Sequence, residues 1–196
     1  MRLRLCQLPP RTTSKLIIMT VNAYYEQELA NSVVGDLVKF ASHNTELVEI
    51  KQNYKGNVYQ NVRAARIPQD TNVMAIIKGC FLHFNDVFFK YDLFDTFEAQ
   101  LLKYSAGHQY DWHADYGISE NPAGDRKISM SIQLSSAWEY NGGDLVIRDW
   151  YNREKFMTKD IGHVIAFDSR CPHTVQPILD GERIAIVAWA HGPQLR

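Results

Sequence analysis

Cysteine is scarce in this chain: 196 residues hold three, Cys6, Cys80 and Cys171. Their spacing matches no zinc-binding pattern. An odd, sparse set argues against a disulfide framework and for a reducing, cytoplasmic setting. An excess of charge of one sign is lacking too. Twenty-one basic residues face 22 acidic ones, a formal net charge of −1. Such a balance exerts no general pull on a polyanion or an anionic surface, so neither nucleic acid nor membrane is an expected partner. No apolar run approaches the roughly 20 residues of a membrane-spanning helix. The basic start Met1-Arg-Leu-Arg is broken by Pro9-Pro10 before an apolar signal-peptide core forms. Repeats, low-complexity stretches and interdomain linkers are also missing.

What is present suffices for one domain with a substantial core. The expected organisation is an irregular tail over residues 1–20 and a single domain over 21–196. Helical support over 21–96 precedes a β core over 97–192. Met19 is a candidate alternative start. Between Tyr24 and Phe40, Leu29, Val33, Leu37 and Phe40 recur at helical spacing. Glu26 and Glu28 suit the first turn of that helix and Lys39 its end. Glu46–Ile50 alternates, Gly56-Asn57 signals a turn, and Arg63 and Arg66 are expected at the surface. Val73, Ile76, Ile77, Cys80, Phe81, Phe84 and Phe88 form a broad stripe on a second helix over Thr71–Phe89, capped by Asp70 or Thr71.

From Glu98 onward the pattern is β. Ile128, Met130, Ile132 and Leu134 alternate with Ser129, Ser131 and Gln133, an apolar face against a polar one. Asn141-Gly-Gly143 is a hairpin signal, and Leu179–Glu182 reads as another turn. Two helices followed by seven or eight short strands point to a mainly β (α+β) fold: a double-stranded β-helix, or jelly-roll, barrel buttressed by N-terminal helices. In a closed barrel the polar face of the 127–135 strand would line a cavity.

The chemistry concentrates in Tyr104-Ser-Ala-Gly-His-Gln-Tyr110-Asp-Trp-His113-Ala-Asp115, with Pro172-His173 and Gly181-Glu-Arg183 further on. Residues i and i+2 of a strand share a face, so His113 and Asp115 can converge on one ion. His173 supplies a second imidazole. Two histidines and one carboxylate on one face of a metal leave positions open, as in non-haem Fe(II) oxygenases. Arg183 lies on a largely apolar strand face with Ala185, Val187 and Trp189, where an arginine is costly unless it meets an anion. No acidic residue shares that face, so a bound carboxylate is its natural partner. Cys171, two residues before His173, is a soft ligand better suited to zinc, and is expected as a free, oxidation-sensitive thiol near the site.

These segments resemble the Fe(II)/2-oxoglutarate-dependent oxygenases, in the prolyl 4-hydroxylase-like (PKHD-type hydroxylase) branch. The matching pieces are Tyr104…Gly107…Tyr110-x-x-His113-x-Asp115, Arg126-Lys-Ile-Ser129…Gln133-Leu134, Gly142-Gly143-Asp144, Pro172-His173-x-Val-x-Pro177 and Gly181-Glu-Arg183. The resemblance covers residues 97–192 well and the helical part more loosely. It implies iron held by His113, Asp115 and His173. It implies 2-oxoglutarate gripped by Arg183, with Tyr104 beside it and Gln133 where relatives carry a tyrosine. Dioxygen is the co-reactant, and ascorbate a candidate accessory. The implied reaction hydroxylates an unactivated C–H, most naturally in a peptidyl proline or another protein side chain, with release of succinate and CO2. Asp115 is the carboxylate that related halogenases lack, which favours hydroxylation.

Other readings remain open. A small-molecule (free amino acid) hydroxylase fits the same barrel. A nucleic-acid demethylase would carry an arginine six residues after Arg183, where this chain has Trp189. A non-enzymatic jelly-roll binding module has no reason to keep the whole ligand set, and a zinc cupin-type enzyme leaves Arg183 unexplained. Specificity is expected in the segments 51–70 and 116–126.

Overall fold

A computed structural model describes residues 22–44, 46–116 and 124–194 of the chain. The predicted tail over 1–20, the Met19 question and most of the 116–126 segment lie outside them. In chain order the elements are β1 (Tyr24–Glu28), α1 (Asn31–His43), β2 (Val48–Tyr54), β3 (Asn57–Arg66) and α2 (Asn72–Phe84). Then follow β4 (Phe97–Ser105), β5 (Gln109–His113), β6 (Asp125–Gln133), β7 (Tyr140–Gly142), β8 (Leu145–Arg148), β9 (Glu154–Phe156), β10 (His163–Asp168), β11 (His173–Val175) and β12 (Ile178–Gly192). The strands form one curled antiparallel sheet in the order β1-β10-β6-β12-β4-β3-β5-β11-β8-β9, with β2 on β3 and β7 on β12.

The curl comes from β3. Its Arg63–Arg66 half pairs with β4, while Gln60 and Asn61 pair with β5. One strand thus hands the sheet from its larger wall to its smaller one. Each wall strand then has an outer and an inner face. The outer face carries Ala99, Leu101, Ile128, Met130, Ile132, Ile186 and Ala188, which pack with Ile77, Phe81 and Phe84 of α2 and Leu37 of α1. Phe81 is fully buried and stacks on Phe97 with ring centroids 5.7 Å apart. Thr71 caps α2: its Oγ1 accepts from the Met74 N–H at 3.1 Å. The inner face gathers Val62, Leu102, Tyr104, Leu145, Ile147, Phe167 and Val175 into a second core between the walls. Among the described residues, no helix is long and apolar enough to cross a membrane.

Several local expectations change. Tyr24–Glu28 is a strand along β10, with Tyr24 opposite Phe167, so Glu26 and Glu28 belong to no helix. The first turn of α1 carries no acidic residue. The free edge of β10 needed a partner, and that tertiary demand outweighed the helical spacing. The second helix stops at Phe84 and runs into a π-helical turn, Asn85–Phe89, which leaves Phe88 partly exposed against Tyr25. Asn141-Gly-Gly143 makes no hairpin: β7 pairs with β12, and β8 pairs with β11 and β9. Leu179–Glu182 is no separate turn but the start of β12. Gly181, at φ +76°, lets this stretch press against the Glu139–Tyr140 backbone, where a Cβ would strike the Glu139 carbonyl.

Candidate metal and cosubstrate site

The inner face opens on a cavity of about 230 Å³, and the three sequence-predicted ligands line one side of it. His113 and His173 meet because β5 and β11 pair in a register that sets them directly opposite. Their ring centroids lie 4.2 Å apart. Asp115 stands just beyond the end of β5, so strand pleat is not what aims it. The Tyr116 N–H donates to the Ser169 carbonyl at 2.8 Å and anchors the turn. The Ser129 hydroxyl donates to Asp115 Oδ2 at 2.7 Å. The ligating atoms of the three residues all lie within 4.8 Å of one another.

Backbone carbonyls settle which nitrogen of each ring is free. His113 Nδ1 faces the Asp111 carbonyl at 2.7 Å, and His173 Nδ1 faces the Cys171 carbonyl at 3.1 Å. A carbonyl only accepts, so both Nδ1 atoms carry the proton and both Nε2 lone pairs turn toward Asp115. His113 Nε2 is 3.9 Å from Asp115 Oδ1, and His173 Nε2 is 3.5 Å from Oδ2. Burial, reinforced by His173, pushes the His113 imidazole down to about 4 and keeps it neutral. Burial raises the Asp115 carboxyl, but the two imidazoles, the Ser129 hydroxyl and the Trp189 indole together hold it below the usual carboxylate range. Neutral imidazoles and an ionised carboxylate are the forms that bind a metal.

Across the cavity Arg183 is 1% exposed and makes no ion pair among the described residues. Its Nη2 donates to Gln133 Oε1 at 2.6 Å, and its Nε has no partner among the described residues. Gln133 is spent at both ends, since its Nε2 donates to the Tyr140 hydroxyl at 3.1 Å. It stands beside Arg183 rather than on the cavity wall. Tyr104 does line the cavity, with its ring 5.5 Å from the Arg183 guanidinium. Burial pushes its phenol up to about 12. A buried cation with an orphaned donor opposite a trio that could hold a metal cation suits an anionic ligand that reaches between them.

Several neighbours named in the sequence motifs had been given no role. Tyr110 stacks on His113 at 3.6 Å. Arg126 lies over Trp189 at 3.9 Å, bonds Glu98 at 3.1 Å and stands 3.7 Å from Asp115. Ser129 was legible as part of the polar alternation, but its bond to Asp115 was not. Cys171 is a free thiol near the site as expected, but its burial departs from the expected sensitivity to oxidation. It is fully buried against the Ala23 carbonyl, and burial pushes its thiol up to about 12, so it is neither ligand nor reactive thiol.

The curled sheet with two histidines, one carboxylate and a buried arginine defines a class, and comparison with known proteins agrees. Residues 99–191 match the profile of the 2OG-Fe(II) oxygenase superfamily. Through this segment the chain is similar to that superfamily, and the relatives it matches there are PKHD-type hydroxylases. A PKHD-type hydroxylase of Synechococcus sp. (strain CC9605) is 36% identical over 85 residues, 43% of this chain and 37% of the relative. The chain thus spans well under half the length of that relative. Among solved structures, a Pseudomonas putida prolyl-4-hydroxylase superposes with a TM-score of 0.71 at 21% identity, covering 88% of this chain and 94% of the other. A Trichoplax adhaerens prolyl hydroxylase in complex with a hypoxia inducible factor peptide fragment superposes at 0.67 with 19% identity, covering 87% and 84%. At these identities the structures establish the fold.

Proposed function

We propose that the chain is an Fe(II)- and 2-oxoglutarate-dependent hydroxylase acting on an unactivated C–H of a peptide or protein side chain, with proline the leading candidate. The observation that carries this reading is the cavity with the His113–Asp115–His173 trio on one side and, on the other, a buried Arg183 that makes no ion pair among the described residues. His113 and His173 would hold iron through Nε2 and Asp115 through a carboxylate oxygen. Bound iron with 2-oxoglutarate and O2 supplies the oxidising power. One O2, one 2-oxoglutarate and one substrate C–H give succinate, CO2 and the C–OH product. Ascorbate is the accessory reductant in this proposal.

The protein's part is orientation. The Asp111 and Cys171 carbonyls fix both imidazole tautomers, and Ser129 aims the carboxylate. Arg183 receives the distal carboxylate of 2-oxoglutarate through a charge-assisted contact, held in place by Gln133 and Tyr140. Tyr104 closes the wall beside it, and its raised phenol stays neutral and able to donate. The unpaired thiols Cys80 and Cys171 fit a reducing compartment.

The test is succinate formation by Fe(II)-loaded protein given 2-oxoglutarate and O2, with calorimetric binding of 2-oxoglutarate to the Mn(II)-loaded form. Parent protein binds 2-oxoglutarate and forms succinate; His113→Ala abolishes turnover and Arg183→Ala abolishes binding. A parent that does neither sinks the proposal.

A further inference from the structure

We infer that the Ser131 hydroxyl is a direct contact of the bound cosubstrate, donating to a carboxylate oxygen of 2-oxoglutarate from the wall between the candidate metal trio and Arg183. This rests on the hydroxylase reading above and adds a residue to the cosubstrate side of the same cavity. Ser131 stands in the middle of β6, is 3% exposed and lines the cavity. Of the buried side-chain polar atoms without a partner among the described residues, two belong to residues lining this cavity: Ser131 Oγ and Arg183 Nε. The arginine already has its ligand in the reading above, and the serine has none.

The surroundings of Ser131 explain why its hydroxyl is left over. Its cross-strand partners are Ile165 on β10 and Val187 on β12, whose side chains offer no acceptor. Along β6, the residues two positions away share its face. Ser129, on one side, bonds Asp115 Oδ2 and meets the Ser169 hydroxyl at 2.9 Å. Gln133, on the other, bonds both Arg183 and Tyr140. Three polar residues of one strand face thus divide the wall among them. The first aims the candidate metal carboxylate, the last holds the arginine, and the middle one holds nothing. A buried hydroxyl without a partner costs free energy, and that cost vanishes when a ligand supplies the acceptor. An acid that reaches from the trio to Arg183 passes the level of Ser131. A hydroxyl donating to a carboxylate forms the stronger, charge-assisted kind of hydrogen bond.

The experiment compares the parent with Ser131→Ala. Titration calorimetry follows 2-oxoglutarate binding to the Mn(II)-loaded protein, electron paramagnetic resonance follows Mn(II) binding itself, and differential scanning calorimetry follows the ligand-free protein. Ser131→Ala weakens 2-oxoglutarate binding roughly tenfold, the size of one hydrogen bond to a charged group. Mn(II) affinity is unchanged, because Ser129 and not Ser131 bonds Asp115. The ligand-free variant melts no lower than the parent, because the change removes a buried hydroxyl that had no partner. A hydroxyl that supported the fold would lower the melting temperature, and one that only held a buried water would leave 2-oxoglutarate affinity untouched. Undiminished 2-oxoglutarate affinity, a matching loss of Mn(II) affinity, or ligand-free melting well below the parent overturns the inference. Failure of the hydroxylase reading looks different: the Mn(II)-loaded parent then binds no 2-oxoglutarate, and the inference falls with it.

Discussion

Arg183 sets two effects against each other that can be separated by one pair of variants. The guanidinium is buried, with one hydrogen bond to Gln133 and an orphaned Nε. Without a bound anion, desolvation of such a cation costs several kcal/mol, and replacing buried charge by apolar groups of similar volume gains about 1–4 kcal/mol. Arg183→Met alone forfeits part of that gain, because Gln133 Oε1 loses its partner at about 1–3 kcal/mol. The double variant Arg183→Met/Gln133→Leu removes that acceptor and leaves one neutral group, the Tyr140 hydroxyl, without its Gln133 donor. Ligand-free, the single variant therefore melts close to the parent, and the double variant above it, by about 2–4 °C per kcal/mol in a domain of this size. Saturating 2-oxoglutarate at a hundred times its Kd stabilises the Mn(II)-loaded parent by about 2.7 kcal/mol, and neither variant at all. Differential scanning calorimetry with and without 2-oxoglutarate measures both quantities. If the double variant melts well below the parent, the buried arginine is a structural support and not an empty anion receptor. If 2-oxoglutarate stabilises the variants as it does the parent, the cosubstrate does not use Arg183.

Three further outcomes are expected. Ser129→Ala removes the hydroxyl that aims Asp115 Oδ2, so Mn(II) affinity followed by electron paramagnetic resonance falls roughly tenfold; unchanged affinity would mean that the Tyr116 anchor alone suffices. Stability declines at alkaline pH, because burial lifts the Cys171 thiol from 9.0 to about 12 and the Tyr104 phenol from 10.0 to about 12. The unfolded chain then loses these protons first, so their contribution is intact below about pH 9 and is lost as pH rises toward 12. Cys171→Ala flattens the slope of the urea midpoint against pH in that window, and a parallel slope would refute the assignment. Phe81→Ala empties a fully buried position stacked on Phe97 and costs about 3–5 kcal/mol in urea unfolding.

The candidate metal trio and Arg183 stood out in the sequence because their chemistry is unusual for their patterning. A histidine, an aspartate and an arginine in apolar, strand-like surroundings are costly without a ligand, and that cost is visible residue by residue. The alternation Ile128-Ser-Met-Ser-Ile132 likewise announced an apolar face and a polar one, which became the outer core and the cavity wall. Local patterning misjudged Tyr24–Glu28, whose spacing suited a helix until the edge of β10 claimed it as a strand. It also misread Asn141-Gly-Gly143, whose glycines do adopt φ of +73° and +65° but serve close passage of β7 along β12.

Sequence by itself thus determined which side chains are chemically out of place, because charge, periodicity and turn propensity are properties of short stretches. Only the tertiary structure decided how they meet. The β5–β11 register set two histidines 60 positions apart directly opposite each other, and the Ser129 hydroxyl turned Asp115 toward them. Those decisions belong to strand pairing, whose hydrogen bonds join segments far apart in the chain, and no window of neighbouring residues contains them.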